Sequence, residues 1–90
     1  MKLSQLQRGQ ELKTKIENLT SALQKQKLIL EDINEKLERE PKYMVKIDSY
    51  IKGNYAGAMI SGTILRSGTV DNINEINFLL RKYNRELEQL

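Results

Sequence analysis

The run Arg66-Ser67-Gly68-Thr69 is the part of this 90-residue chain whose composition comes nearest to a chemical task. An arginine can clamp a phosphate through two parallel hydrogen bonds. The Ser67 and Thr69 hydroxyls can donate, and Gly68 would let an anion approach the backbone N–H groups of a helix start. The residues before the run read as strand and those from Asp71 as helix, so its position suits an anion-binding turn. Lys52, Asn54 and Tyr55 form a second polar group in a glycine-containing loop at the opposite end of the strands. They could share a site with Arg66 only across a subunit boundary. Against this reading, no Walker or dinucleotide pattern is present, and Asp71 and Glu75 already bring negative charge to that helix start. An ordinary turn before a capped helix is the simpler account.

Catalysis has less to work with. Without cysteine or histidine, the usual nucleophiles, general bases and zinc ligands are missing. Asp48 is the single acid between residues 41 and 70 and has no second carboxylate near it. Pairing with Lys46 or Lys52 on the strand surface explains it adequately. The expectation is a non-enzymatic protein with no metal site and no cofactor.

Net charge is +3, and it is unevenly placed: +1 over residues 1–40, +3 over 41–70 and −1 over 71–90. Tyr43, Tyr50 and Tyr55 stand near lysines, as on single-stranded nucleic-acid platforms. So small a basic excess disfavours nucleic acid as the partner, and strands favour tyrosine for packing alone. No apolar run approaches a membrane span. The first residues lack the apolar core of a signal peptide, so the expected location is cytoplasmic.

Three segments of one domain must position these residues. Leu12, Ile16, Leu19, Leu23, Gln26, Leu30, Ile33 and Leu37 recur at alternating spacings of four and three, a heptad seam with one polar member. Gly9 falls on the seam and Leu3 and Leu6 lie off it, so the first turns are expected to fray or to belong to a short separate segment. The seam crosses Thr20-Ser21 without a phase change, which favours one helix ending before Pro41. From Tyr43 the period becomes two, with Val45 and Ile47 on the face expected to be buried. A loop over Lys52–Gly57 and a second strand over Ala58–Leu65 complete an antiparallel hairpin. Ile73, Ile76, Leu80, Tyr83, Leu87 and Leu90 then mark a helix over 71–90. The fold class is α+β: a helical arm over 1–40, a hairpin segment over 41–70 and a shorter helix.

The arms are unequal in this reading. A 20-residue helix returning from the hairpin covers about 30 Å and leaves Leu12, Ile16, Leu19 and Leu23 without a partner. An exposed apolar stripe on a lone helix is unfavourable, and a chain this small without disulfides gains most from oligomerisation. These four residues are therefore the expected interface of a homo-oligomer. The apolar triplets Leu28-Ile29-Leu30 and Phe78-Leu79-Leu80 are expected to lie level. The functional expectation is an adaptor or sequestering protein that acts on a protein partner through coiled-coil seams and a basic hairpin. The alternative is a binding protein for a phosphate-bearing metabolite or nucleotide, with its pocket between subunits. A holder of unfolded segments is a third possibility.

Overall fold

The first helix, α1, runs from Leu3 to Arg39 in the computed structural model, which describes residues 2–90. The side chains of Ser49, Tyr50 and Ile51 lie outside that description, and with them their expected places on the strand faces. The helix is continuous through Thr20-Ser21. Thr14 and Thr20 direct their hydroxyls to the carbonyls of Gln10 and Ile16, at 3.1 and 2.7 Å, which satisfies those polar groups inside the helix. Its first turns are helical and continuous with the rest, so they form no separate segment. The Lys2 backbone N–H donates to Gln5 Oε1 at 3.0 Å, occupying one of the donors that a helix start leaves open. Glu40, before the proline, is extended at φ −142° and ends the helix.

Two antiparallel strands follow, β1 (Met44–Ile51) and β2 (Asn54–Ser61). Their loop is two residues long, where six were expected. Lys52 and Gly53 both have positive φ, 52° and 79°, the combination that joins two strands without splaying them. This tight turn lets Asn54 pair directly with Ile51, and the register continues to Met44 opposite Ser61. The ladder goes one step further, with Gly62 N–H donating to the Tyr43 carbonyl at 2.7 Å.

The second helix, α2, occupies Gly62–Glu88. It begins nine residues before the expected position, and residues 62–65 are helical where a strand was expected. Ser61 is the physical reason: its hydroxyl accepts from Ile64 N–H at 3.2 Å and caps the helix. Gly62 at this point is a steric requirement. A Cβ there would lie 2.8 Å from Tyr43 Cδ1, 3.0 Å from Leu37 Cδ2 and 3.2 Å from the Tyr43 carbonyl oxygen.

Because α2 has 27 residues, it spans about 40 Å and covers most of α1. Gly9 meets Leu90, Lys15 lies under Tyr83, Gln26 bonds to Asn72, and Leu37 meets Gly62. Each pair of residue numbers adds to 98 or 99, so the antiparallel register is constant. The apolar triplets are not level: they are offset by about ten residues, roughly 15 Å. Leu12 is fully buried, Ile33 is 3% exposed and Thr69 is 4% exposed, while most of the seam is half-buried. Gly9, which looked like a flaw in the seam, is where Leu87 and Leu90 approach the α1 backbone closely.

The molecule measures 56 × 36 × 14 Å, with a radius of gyration of 18.1 Å, against about 12 Å for a compact chain of this length. Helices and ribbon laid end to end would need roughly 80 Å. The β-ribbon therefore turns aside from the helix pair and packs on it only near its root, where Val45, Ile60 and Ser61 are half-buried.

Two glycines of α2 should respond oppositely to substitution. Gly62→Ala is expected to destabilise by about 1–3 kcal/mol, because Tyr43 and Leu37 must move. Gly68 has nothing within 4 Å of a Cβ position and lies inside a helix, so Gly68→Ala should stabilise by about 0.5–1 kcal/mol. Urea unfolding of both variants checks the pair.

Lys36 lies 3.0 Å from Asp32 and 5.5 Å from the Tyr43 ring centroid. The hydrogen bond to Asp32, followed by that to Tyr43, holds its ammonium above the ordinary lysine value. A raised folded value means that the contribution to stability is complete below the unfolded pKa of about 10.4 and lost as pH rises through the folded one. The Tm difference between wild type and Lys36→Met should thus be constant from pH 6 to 9 and shrink only above pH ~10.5.

Candidate interaction surface at the hairpin

The predicted anion-binding turn is not a turn. Arg66, Ser67, Gly68 and Thr69 lie within α2, beyond its first turn. Their backbone N–H groups therefore serve the helix and are unavailable to a phosphate. Thr69 is buried and donates its hydroxyl to the Leu65 carbonyl at 2.8 Å; Arg66, Ser67 and Gly68 are exposed on the helix surface. The true start of α2 offers little to an anion either. Gly62 N–H is committed to Tyr43, Ile64 N–H to the Ser61 hydroxyl, and the Tyr43 ring closes against Gly62.

Lys52, Asn54 and Tyr55 occupy the hairpin tip and the first residues of β2. Eight strand residues, about 26 Å, separate the tip from α2, so the structure does not bring them to Arg66. The expected interface residues are also reassigned. Leu12 is fully buried against α2, and Ile16, Leu19 and Leu23 are half-buried in the same intramolecular seam. They hold the two helices of one chain together, which follows directly from the early start of α2. Among the described residues, the large apolar side chains before the paired region are Leu3 and Leu6, and both are exposed.

What remains available is the ribbon. Strand alternation and register put Lys46, Asp48, Tyr55, Gly57 and Met59 on one face. There the Tyr55 hydroxyl donates to the Asp48 carboxylate, and Lys46 Nζ lies 3.7 Å from Asp48 and 6.0 Å from the Tyr55 ring centroid. Gly57, opposite Asp48, makes this possible: a Cβ there would meet the Tyr55 hydroxyl at 2.7 Å. The ring lies across the glycine on the exposed strand face. A shallow groove of about 320 Å³ borders this cluster, lined by Lys46, Tyr55, Gly57, Ala58 and Met59. It is open to solvent and has no inward-facing polar group isolated from water, so it resembles a contact surface more than a ligand pocket.

Val45, Ile47, Ala56, Ala58 and Ile60 share the other face. This is the face expected to be buried, yet Ile47, Ala56 and Ala58 are exposed and only its root packs on the helices. Among the described residues no group of acidic side chains is placed to hold a metal ion, and no helix is long and apolar enough to cross a membrane. Comparison with known protein families, characterised proteins and solved structures finds no match.

A two-stranded ribbon is marginally stable by itself, so its turn should be sensitive. Gly53→Ala forces a Cβ into the left-handed region, at a cost of roughly 1 kcal/mol. Amide exchange should rise along Ala56–Ile60 while the protection of the α1–α2 pair is unchanged.

Proposed function

We propose that this chain is a non-enzymatic oligomeric adaptor that acts by presenting its β-ribbon to a protein partner, with self-association part of its working state. The observation that carries the reading is the surface that one chain leaves uncovered. Its accessible area is 7114 Å² at 10.5 kDa, whereas a compact monomer of that mass exposes about 5,400 Å². The excess, roughly 1,700 Å², is ample for one standard protein–protein interface, to which each partner contributes about 800 Å².

Its composition points the same way. Among the described residues two large apolar side chains are buried, while twelve are exposed, including Met59, Ile64 and Phe78. Association would bury part of this surface and offset the thin core. The basic residues Lys42 and Lys52 are exposed beside the apolar ribbon, which suits a protein partner with an acidic rim. The reading as a phosphate-ligand protein loses its support, because the turn proposed to hold the anion is helix.

Light scattering coupled to size exclusion checks the oligomeric part directly. A mass of at least twice 10.5 kDa is expected at micromolar concentration, and Tm should rise with protein concentration, as mass action requires when association stabilises the fold. A monomeric mass with a concentration-independent Tm would refute self-association.

A further inference from the structure

We propose that two copies of this chain join along the free edge of β2, making a four-stranded antiparallel sheet from two ribbons. The inference rests on the oligomeric reading above and specifies its contact.

The two edges of the ribbon differ in chemistry. Edge strands present unpaired backbone groups, and soluble proteins normally guard them with charge, proline, bulges or a covering element. β1 has Lys46 and Asp48 along its length and Pro41 just before it. β2 reads Asn-Tyr-Ala-Gly-Ala-Met-Ile-Ser and contains no charged residue and no proline. It pairs without interruption over all eight residues, so no bulge bends it away, and its first six residues are exposed. The guarded edge and the bare edge belong to one ribbon, which makes the difference specific.

Geometry specifies a second copy as the occupant. In a two-residue hairpin the pair flanking the loop exchanges both hydrogen bonds and the pattern alternates outward. The Gly62–Tyr43 bond follows that alternation. Gly57 and Met59 therefore turn their backbone N–H and C=O away from β1, towards the free edge. An antiparallel strand pairing with its own copy has a two-fold axis, and a charge on or beside that axis would lie close to its equivalent. β2 brings none. With outward groups at odd positions, the axes that centre an eight-residue strand on itself pass through Gly57 or Ala58. Each allows about seven residue pairs. The apolar faces then join, with Val45, Ile47 and Ile60 of both ribbons flanking a floor of Ala56 and Ala58. Four strands with one apolar face exceed the minimum for a stable sheet, which two strands do not reach.

The chain lacks cysteine, so disulfide trapping of the full-length protein gives a clean readout. If the axis passes through Ala58, the Ala58→Cys variant should form a covalent dimer under mild oxidation. If it passes through Gly57, position 56 of one copy faces 58 of the other, and the Ala56→Cys/Ala58→Cys variant should do so. Ile47→Cys, on β1, should remain uncrosslinked. Met59→Pro removes an outward N–H at a position where the internal ladder does not use it, and Met59→Glu puts a charge on the edge while gaining Lys46 opposite it. Both should retain the helical circular dichroism of the wild type and lose the dimer mass. With the wild type dimeric, crosslinking of the Ile47→Cys variant alone, or a dimer that survives both Met59 changes, would overturn the β2 contact and leave self-association standing. A monomeric wild type would overturn both, leaving the edge to an extended segment of another protein.

Discussion

The contact between the Tyr43 ring and Gly62 is the constraint on which this architecture depends. It sits where a helix, a ribbon and a second helix meet, and each must change direction there. Tyr43 enters from the turn after Pro41, Gly62 leaves β2, and their backbones are joined by the last bond of the ladder. The ring covers Gly62, with Leu37 beside it and Lys36 above. A side chain at position 62 would push β2 away from the α1 terminus, and α2 would then leave in a different direction. The helix pairing inherits its register from this junction out to its far end, where Gly9 meets Leu90.

Much of the layout was legible in the sequence, because periodicity reports which side of an element is covered. The seam from Leu12 to Leu37 pointed to α1 as one helix, and the alternation from Tyr43 pointed to β1, although the face expected to be buried is covered only at its root. The start of α2 was not legible for a local reason. Gly62-Thr63-Ile64-Leu65 has β-branched residues that favour a strand and a glycine that disfavours a helix, and Gly68 resembles a terminator. Ser61 was the available signal, a good helix cap ahead of residues 65, 69 and 73, which continue the α2 seam. That one boundary propagated: moving it by nine residues turned a candidate anion loop into helix and an expected oligomer interface into the intramolecular core. The two-residue turn was missed because Asn54 and Gly57 read as loop formers, whereas Gly57 is where Tyr55 lies across the strand.

The energetic character of the fold follows from its thickness. At 14 Å the molecule is a single layer, so most seam residues are covered from one side only. The charged contacts are surface pairs, such as Arg8 with Glu86 at 2.7 Å and Arg39 with Glu35 at 2.7 Å. Exposed pairs of this kind contribute little. Arg8–Glu86 joins the two helices, Arg39–Glu35 lies within α1, and neither replaces a second layer. A layer of this kind has its two broad faces and both ribbon edges available for contact, which explains why so much apolar area remains outside.

The constant register between α1 and α2 also has a kinetic meaning. Pairs with numbers adding to 98 or 99 are close in the chain at one end and remote at the other, from Leu37 with Gly62 to Gly9 with Leu90. Once the Lys52-Gly53 turn has closed, the next contact requires ordering of only a few more residues on each side. Each later contact repeats that small step, so the large loop-closure entropy of the terminal pairs is spread over many increments. The chain is built as a zipper with its slider at the hairpin, and it opens first where Leu90 leaves Gly9.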